Sequence, residues 1–396
     1  MASGQAPTRL VIDARYVRVG RHDGISRYTA GLCLGLSRVL ASRPGVNSPV
    51  HTGLHTGLHT AVGTDVDVEL MISDERQLEH LPDFRWFLGP DPVSAGEVLT
   101  GRVLNRRGAD VVFSPMQTMG AFNRRFGLIL TLHDLIYYDH PAPPGDLPAP
   151  VRAGWRLFHK ALWPQRMALN RADAVVTVSQ TSADGIRERR LTDRPLFVVP
   201  NAADPAEVSA PDDALSRRED RTGKLVYMGS FMPYKDVETL VRAAALLPGY
   251  EFHLVSRISP QRRLELESAA PGARLVFHDG LSDDDYRTLL HEATALVHAS
   301  RAEGYGLPLM EALCAGTPVV CTDIPIFHEV CRRAALYVPA GDAQGFAAAV
   351  RSLEEPRVAR ALITDGLDLA RRSSWEQSAL DLLAVVAQVA SKIPSA

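Results

Sequence analysis

The stretch Ser300–Glu329, SRAEGYGLPLMEALCAGTPVVCTDIPIFHE, follows a short apolar strand, Ala295–His298, and reads as loop, helix, strand and helix. The loop Gly304-Tyr305-Gly306 leads into a helix opening at Pro308, because proline suits the first helical position and Leu, Met and Ala continue the helix. The next apolar run, Thr317–Cys321, is a second strand. Strand, crossover helix and strand form the unit of a parallel sheet.

The same alternation extends in both directions. Upstream strands are expected at Leu10–Ile12, Val66–Ile72, Val111–Phe113, Leu128–Leu132, Ala174–Val178 and Leu196–Val199, with a first helix over Ser26–Leu40. Asp204–Thr222 is polar, charged and without apolar periodicity, which marks an interdomain linker. Strands resume at Lys224–Met228, Glu251–Val255, Arg274–Phe277 and Ala335–Val338, and a last helix covers Trp375–Ala390. A chain of 396 residues thus divides into 1–203, a linker at 204–222, 223–374 and a C-terminal helix, 375–396, that returns to the first domain. The fold class is α/β, with two doubly wound domains and a ligand expected in the cleft at the carboxyl ends of their strands.

Hydrophobic residues make up 46% of the chain and charged residues 22%, a soluble globular profile. A net charge of -3 offers no general attraction to nucleic acid. Cys33, Cys314, Cys321 and Cys331 show no metal-ligand spacing and read as reduced thiols. No signal-peptide pattern and no apolar run of roughly 20 residues stands in the sequence, so a cytoplasmic location is expected. HTGLHTGLHT at 51–60 spaces His51, His55 and His59 four apart, but its Thr and Gly disfavour a helix, and it reads as a duplicated loop. Between Val151 and Ala172, basic residues including Arg152, Arg156 and Lys160 mix with Trp155, Phe158 and Trp163, and Pro164 interrupts the run. This segment is an ordinary amphipathic helix or a peripheral contact with an anionic membrane.

The chemistry of 300–329 points to a sugar nucleotide. The helix N-terminus offers unpaired N–H groups and a positive dipole end to a phosphate, and Gly304 and Gly306 allow close backbone approach. Glu311, in the first turns, can accept both hydrogen bonds of a ribose diol. Glu303, on the loop, lies nearer the sugar, where it can orient hydroxyls and oppose developing positive charge. Taken singly, either glutamate would pass for a helix cap or a surface acid.

Glu303-GYGLPLM-Glu311 resembles the E-x7-E signature of retaining GT-B glycosyltransferases of the family 4 type. Further segments resemble the same family in order: Gly24-Ile25-Ser26-Arg27-Tyr28-Thr29, His133-Asp134, Ala172–Ser179, Val199-Pro200-Asn201 and Tyr227–Lys235. The resemblance covers nearly the whole chain. It implies two Rossmann-like domains facing each other and transfer of a hexose from a nucleotide-diphosphate donor, GDP-mannose or a UDP-sugar, to a glycan, lipid-linked or small-molecule hydroxyl. It implies that Lys235 neutralises the diphosphate and that His133 lies by the donor sugar or acceptor oxygen. Gly24, Gly229, Ser230, Tyr305 and Leu307 belong with the donor site on the same grounds. The arginine that usually precedes this lysine is Tyr234 here, and Arg257 is the expected replacement cation. Glu329 more often supports packing. No obligatory divalent ion is expected. Asp283-Asp284-Asp285 reads instead as a cap preceding the helix Tyr286–Ala293.

Two other readings stand beside this one. A starch- or sucrose-type synthase would be expected to carry insertions for which the chain is short, and a non-catalytic sugar-nucleotide-binding subunit would keep the same motifs. A Rossmann dehydrogenase is not expected, since Leu10–Ile12 leads into no G-x-G-x-x-G with a following ribose acid.

Overall fold

The computed structural model describes residues 6–20, 23–42, 65–141, 152, 154, 161–204, 207–220 and 223–393. Contacts divide the chain into two units. The first is Met1–Tyr138 with Ala153–Asn201 and Trp375–Ala396; the second is Asp139–Arg152 with Ala202–Ser374. The 51–60 repeat lies outside the described residues, as do Trp155, Arg156, Phe158 and Lys160 of the basic segment.

The first unit holds a seven-stranded sheet: β1 (Thr8–Asp13), β2 (Val66–Ile72), β3 (Arg85–Leu88), β4 (Val111–Ser114), β5 (Gly127–Thr131), β6 (Ala174–Thr177) and β7 (Leu196–Val198), in the order β3-β2-β1-β4-β5-β6-β7. Its helices are α1 (Gly24–Ala41), α2 (Thr100–Arg107), α3 (Ile136–Asp139), α4 (Trp163–Leu169) and α5 (Gln180–Glu188). Strand pairing is parallel throughout. The residues of β4, β5 and β6 are all buried, as expected of parallel strands covered on both faces. Edge strand β3 buries Phe87 alone, so it carries no apolar pattern that would announce it in the sequence. Pro164 stands in the first turn of α4; it opens that helix and does not interrupt one.

The second unit begins with α6 (Pro211–Asp220). Its six strands are β8 (Lys224–Tyr227), β9 (Glu251–Leu254), β10 (Arg274–Phe277), β11 (Ala295–His298), β12 (Val319–Thr322) and β13 (Ala335–Val338), ordered β10-β9-β8-β11-β12-β13 and again parallel. The helices between and after them are α7 (Val237–Ala245), α8 (Pro260–Ala269), α9 (Asp283–Glu292), α10 (Leu307–Cys314), α11 (Pro325–Cys331), α12 (Ala343–Ser352) and α13 (Pro356–Arg372). The final helix, α14 (Trp375–Ala390), belongs to the first unit, where it packs on α1.

Local chemistry accounts for the differences from the sequence expectations. The polar 204–222 stretch carries α6, whose Ala214 is buried against Ile363 and Leu367 of α13. One small buried residue leaves no apolar periodicity to read. The acids 283–285 form the first turn of α9, and the cap is Ser282, whose side chain accepts from the Asp285 amide. β12 starts at Val319 because Pro318 has no N–H for the ladder, while Thr317 turns its hydroxyl to the Leu290 carbonyl at 2.6 Å.

No helix among the described residues is long and apolar enough to cross a membrane.

Candidate functional site

In the second sheet the chain winds outward from β8 in one direction and from β11 in the other, so the order reverses between these two neighbours. Loops diverge at such a switch point and leave a crevice at the carboxyl ends of the strands. The segments after β8 and β11 carry Lys235 and Glu303.

After β8, Gly229 lies so close to the Tyr227 hydroxyl that a Cβ there would stand 2.8 Å from it. That hydroxyl donates to the Ser230 carbonyl at 2.6 Å, and the Gly229 amide donates to Ser256 Oγ at 3.3 Å. A 3-10 turn, Pro233–Lys235, then presents Lys235, and Asp236 follows in the left-handed region at φ 47°. Asp236 bridges the two segments. It accepts from Thr239 Oγ1 at 2.9 Å and from the Arg301 guanidinium at 2.8 and 3.1 Å, while the Arg301 amide donates to the Tyr234 carbonyl at 2.8 Å.

Lys235 Nζ donates to Glu303 Oε1, with side chains only 11% and 10% exposed. Burial pushes the Glu303 carboxyl up, but the Lys235 charge and hydrogen bond outweigh it and hold the group below the usual carboxylate range. His298, the last residue of β11, places Nε2 3.7 Å from the same carboxylate oxygen. Its ring lies edge-on to Tyr227 and Phe327, and burial, with the Lys235 charge, pushes its pKa down to about 4. The pair therefore sits against a neutral imidazole. Sequence reading passed over His298, Asp236 and Arg301, although Arg301 stands in the quoted stretch. An αL aspartate and a strand-end histidine show their partners only once the loops meet.

Gly306 takes φ 101° and caps α10, where any Cβ would press on the Phe327 ring at 3.2 Å. Gly304 is buried and Leu307 half-buried. Glu311 is half-buried on α10. Tyr305 is directed inward, 9% exposed with its hydroxyl hydrogen-bonded to Ser373, and burial pushes its phenol up. Tyr234, in place of an arginine, lies with its ring 5.3 Å from Lys235 Nζ and stacks on His140 at 6.0 Å. Arg257 is exposed just past β9, its side chain against Gly280.

His133, in the first unit, follows β5. Its Nε2 meets the Pro115 carbonyl at 2.8 Å; a carbonyl only accepts, so Nε2 carries the hydrogen and Nδ1 the lone pair. Burial lowers its pKa, so the ring is neutral. Its ring and that of Tyr28 form a T-shaped pair, centroids 5.1 Å apart. Asp134 accepts from the Ile136 amide at 3.0 Å, and Gly24 opens α1, capped by Asp23. A Cβ at Gly24 would meet nothing within 4 Å, so packing does not demand this glycine.

Two family models match complementary parts of the chain: Glycosyltransferase Family 4 over residues 74–207 and Glycosyl transferases group 1 over residues 222–355. The chain belongs to the family 4, group 1 glycosyltransferases. Among relatives of this glycosyltransferase, O-antigen chain mannosyltransferase RfbU of Salmonella typhimurium is 26% identical over 200 residues, 48% of this chain and 53% of RfbU. The match therefore spans about half the length of that relative. MMP alpha-(1->4)-mannosyltransferase of Mycolicibacterium hassiacum is 27% identical over 337 residues, 78% of each chain. Sucrose-phosphate synthase from Thermosynechococcus elongatus superposes with a TM-score of 0.71 at 19% identity, over 97% of this chain and 99% of that one. Anabaena HepE, solved with UDP and glucose, gives 0.64 at 18% identity, over 98% and 100%. These likenesses show the two-domain GT-B fold.

Proposed function

We propose that this glycosyltransferase moves a hexose of the mannose type from a nucleoside-diphosphate sugar to a hydroxyl of a glycan, lipid-linked or small-molecule acceptor. The observation that carries the reading is the Lys235–Glu303 pair at the switch point of the second sheet. An entering diphosphate competes for the Lys235 ammonium, and the released Glu303 carboxylate becomes an acceptor for sugar hydroxyls. Glu311 takes the ribose diol, and the N-terminus of α10 with the Gly304–Gly306 loop faces the phosphates. The mannose assignment draws support from the names of the two mannosyltransferase relatives.

The C1–O bond to the diphosphate breaks as the acceptor oxygen bonds to C1 on the same face, and the acceptor proton passes to the departing phosphate oxygen. The configuration at C1 is retained. Glu303 opposes the positive charge developing on the sugar, while Lys235 opposes the negative charge on the leaving group. Lys235 and the helix end carry that electrostatic role, so transfer continues in EDTA.

A thermal-shift panel of UDP, GDP and ADP with their sugars identifies the base, since stabilisation grows with ligand excess over Kd. Nucleotide release from the matching sugar, lost in Glu303→Gln, then tests transfer. Tight nucleotide binding with no release and no product by the intact chain favours the binding-subunit reading, and an inverted anomeric product overturns the stereochemistry.

A further inference from the structure

Helix α4 carries a buried polar side chain whose amide nitrogen is unmatched among the described residues. Gln165 is 1% exposed, and its Nε2 meets no hydrogen-bond partner among the described residues. A buried amide donor left unmatched is a liability in a finished core, so a ligand is the natural partner to look for. Gln165 stands in the wall of a cavity of about 200 Å³ within the first unit, together with Thr131, His133, Asp134 and Tyr137.

The wall is apolar at Ile25, Met116 and Leu132, and its polar groups state what kind of ligand fits. Gln165 offers N–H donors, while the lone pair of His133 Nδ1 and the Asp134 carboxylate are acceptors. A hydroxyl both donates and accepts, so a ring bearing several hydroxyls matches this mixture. Among the described residues of the lining there is no lysine or arginine, and the carboxylate repels phosphate. The volume is below the roughly 300 Å³ at which drug-sized ligand sites begin, which suits one ring. A nucleotide or a diphosphate does not belong here.

We propose that Gln165 is a specificity-determining residue that binds a hydroxyl of an uncharged polyol ring, the acceptor of the transfer. The acceptor role rests on the transferase reading above; the binding of an uncharged polyol does not. Removing the amide weakens the polyol roughly five- to tenfold, the ordinary effect of one hydrogen bond to a neutral group. It leaves affinity for nucleoside diphosphate unchanged. The unliganded variant melts no lower than the wild type, because an unmatched buried amide is gone.

The test titrates the full chain and its Gln165→Met and Gln165→Leu variants with methyl α-mannoside, methyl α-glucoside, methyl α-galactoside and myo-inositol, followed by saturation-transfer NMR. Binding of at least one of the four by the wild type, weakened in both variants with melting and UDP or GDP affinity preserved, is the expected result. Equal affinity in wild type and variants overturns the proposal, as does no binding of any of the four. So does tighter binding of mannose 6-phosphate than of methyl mannoside, or a fall in nucleotide affinity that parallels the polyol. If either variant does not fold, the wild-type panel and the other variant still decide. Failure of the transferase reading shows separately, as absence of nucleotide release by the wild type.

Discussion

Lys235 and Glu303, 68 residues apart in the chain, meet in an ion pair that joins the segment after β8 to the segment after β11. Both side chains are about nine-tenths buried, so each neutralises a charge that the surroundings would otherwise penalise. Glu303→Gln or Lys235→Met alone should lower stability by about 3 kcal/mol, because a lone charge remains buried. The double variant should recover most of that loss. Urea unfolding of the cycle checks this, and additive single effects would rule out the coupling.

His298 gives the protein an acid-sensitive centre. Its pKa is near 4 in the folded state against 6.5 in the unfolded chain. Between those values the unfolded state takes up a proton that the folded state refuses, so stability falls as pH drops from 6.5 toward 4. The full difference is about 3 kcal/mol. Unfolding free energies at pH 7.5 and 4.5 should differ by about 2.5 kcal/mol more in the wild type than in His298→Phe. Equal pH slopes in the two proteins would refute the assignment.

Helix α1 approaches α14 through two glycines. A Cβ at Gly35 would stand 2.1 Å from the Trp375 carbonyl oxygen, which is backbone and cannot swing aside. Gly35→Ala should therefore cost about 3 kcal/mol or more. Gly24→Ala, in open space at the start of the same helix, should change the melting temperature little. Comparable melting of the two variants would contradict the contact.

Arg257 and Arg301 should part in their effects. Arg257 is the cation proposed to replace the arginine that Tyr234 displaces, so Arg257→Ala should weaken nucleoside-diphosphate binding by roughly tenfold, more at low salt. Arg301→Ala should act on stability, by about 1 kcal/mol or less, since it releases Asp236 from a half-exposed pair. Calorimetric titration with UDP and GDP distinguishes them. Unchanged affinity and turnover in Arg257→Ala would leave the Tyr234 substitution without a compensating cation.

Much of this architecture is legible in the residues themselves. Strands such as Ala174–Thr177 and Ala295–His298 are short apolar runs between turn signals, because parallel strands are buried on both faces. Edge strand β3 and helix α6 escaped that reading for the converse reason, each burying very little. Within the site, Glu303, Glu311 and Lys235 stand in a contiguous motif and a turn, where residue type and spacing carry the chemistry. Tyr305 looked equivalent to its neighbours in the motif, yet the loop turns its side chain inward to Ser373.

The sequence alone determined the alternation of strand and helix, the two-sheet architecture and the family, since each depends on local periodicity and on residues close in the chain. Tertiary structure alone decided which groups touch: Lys235 with Glu303, Arg301 with Asp236, His298 beside the carboxylate, and Gln165 in the wall of a cavity with its amide unmatched. Charge compensation and desolvation depend on distance in space, and parallel crossovers bring together residues that no local spacing relates.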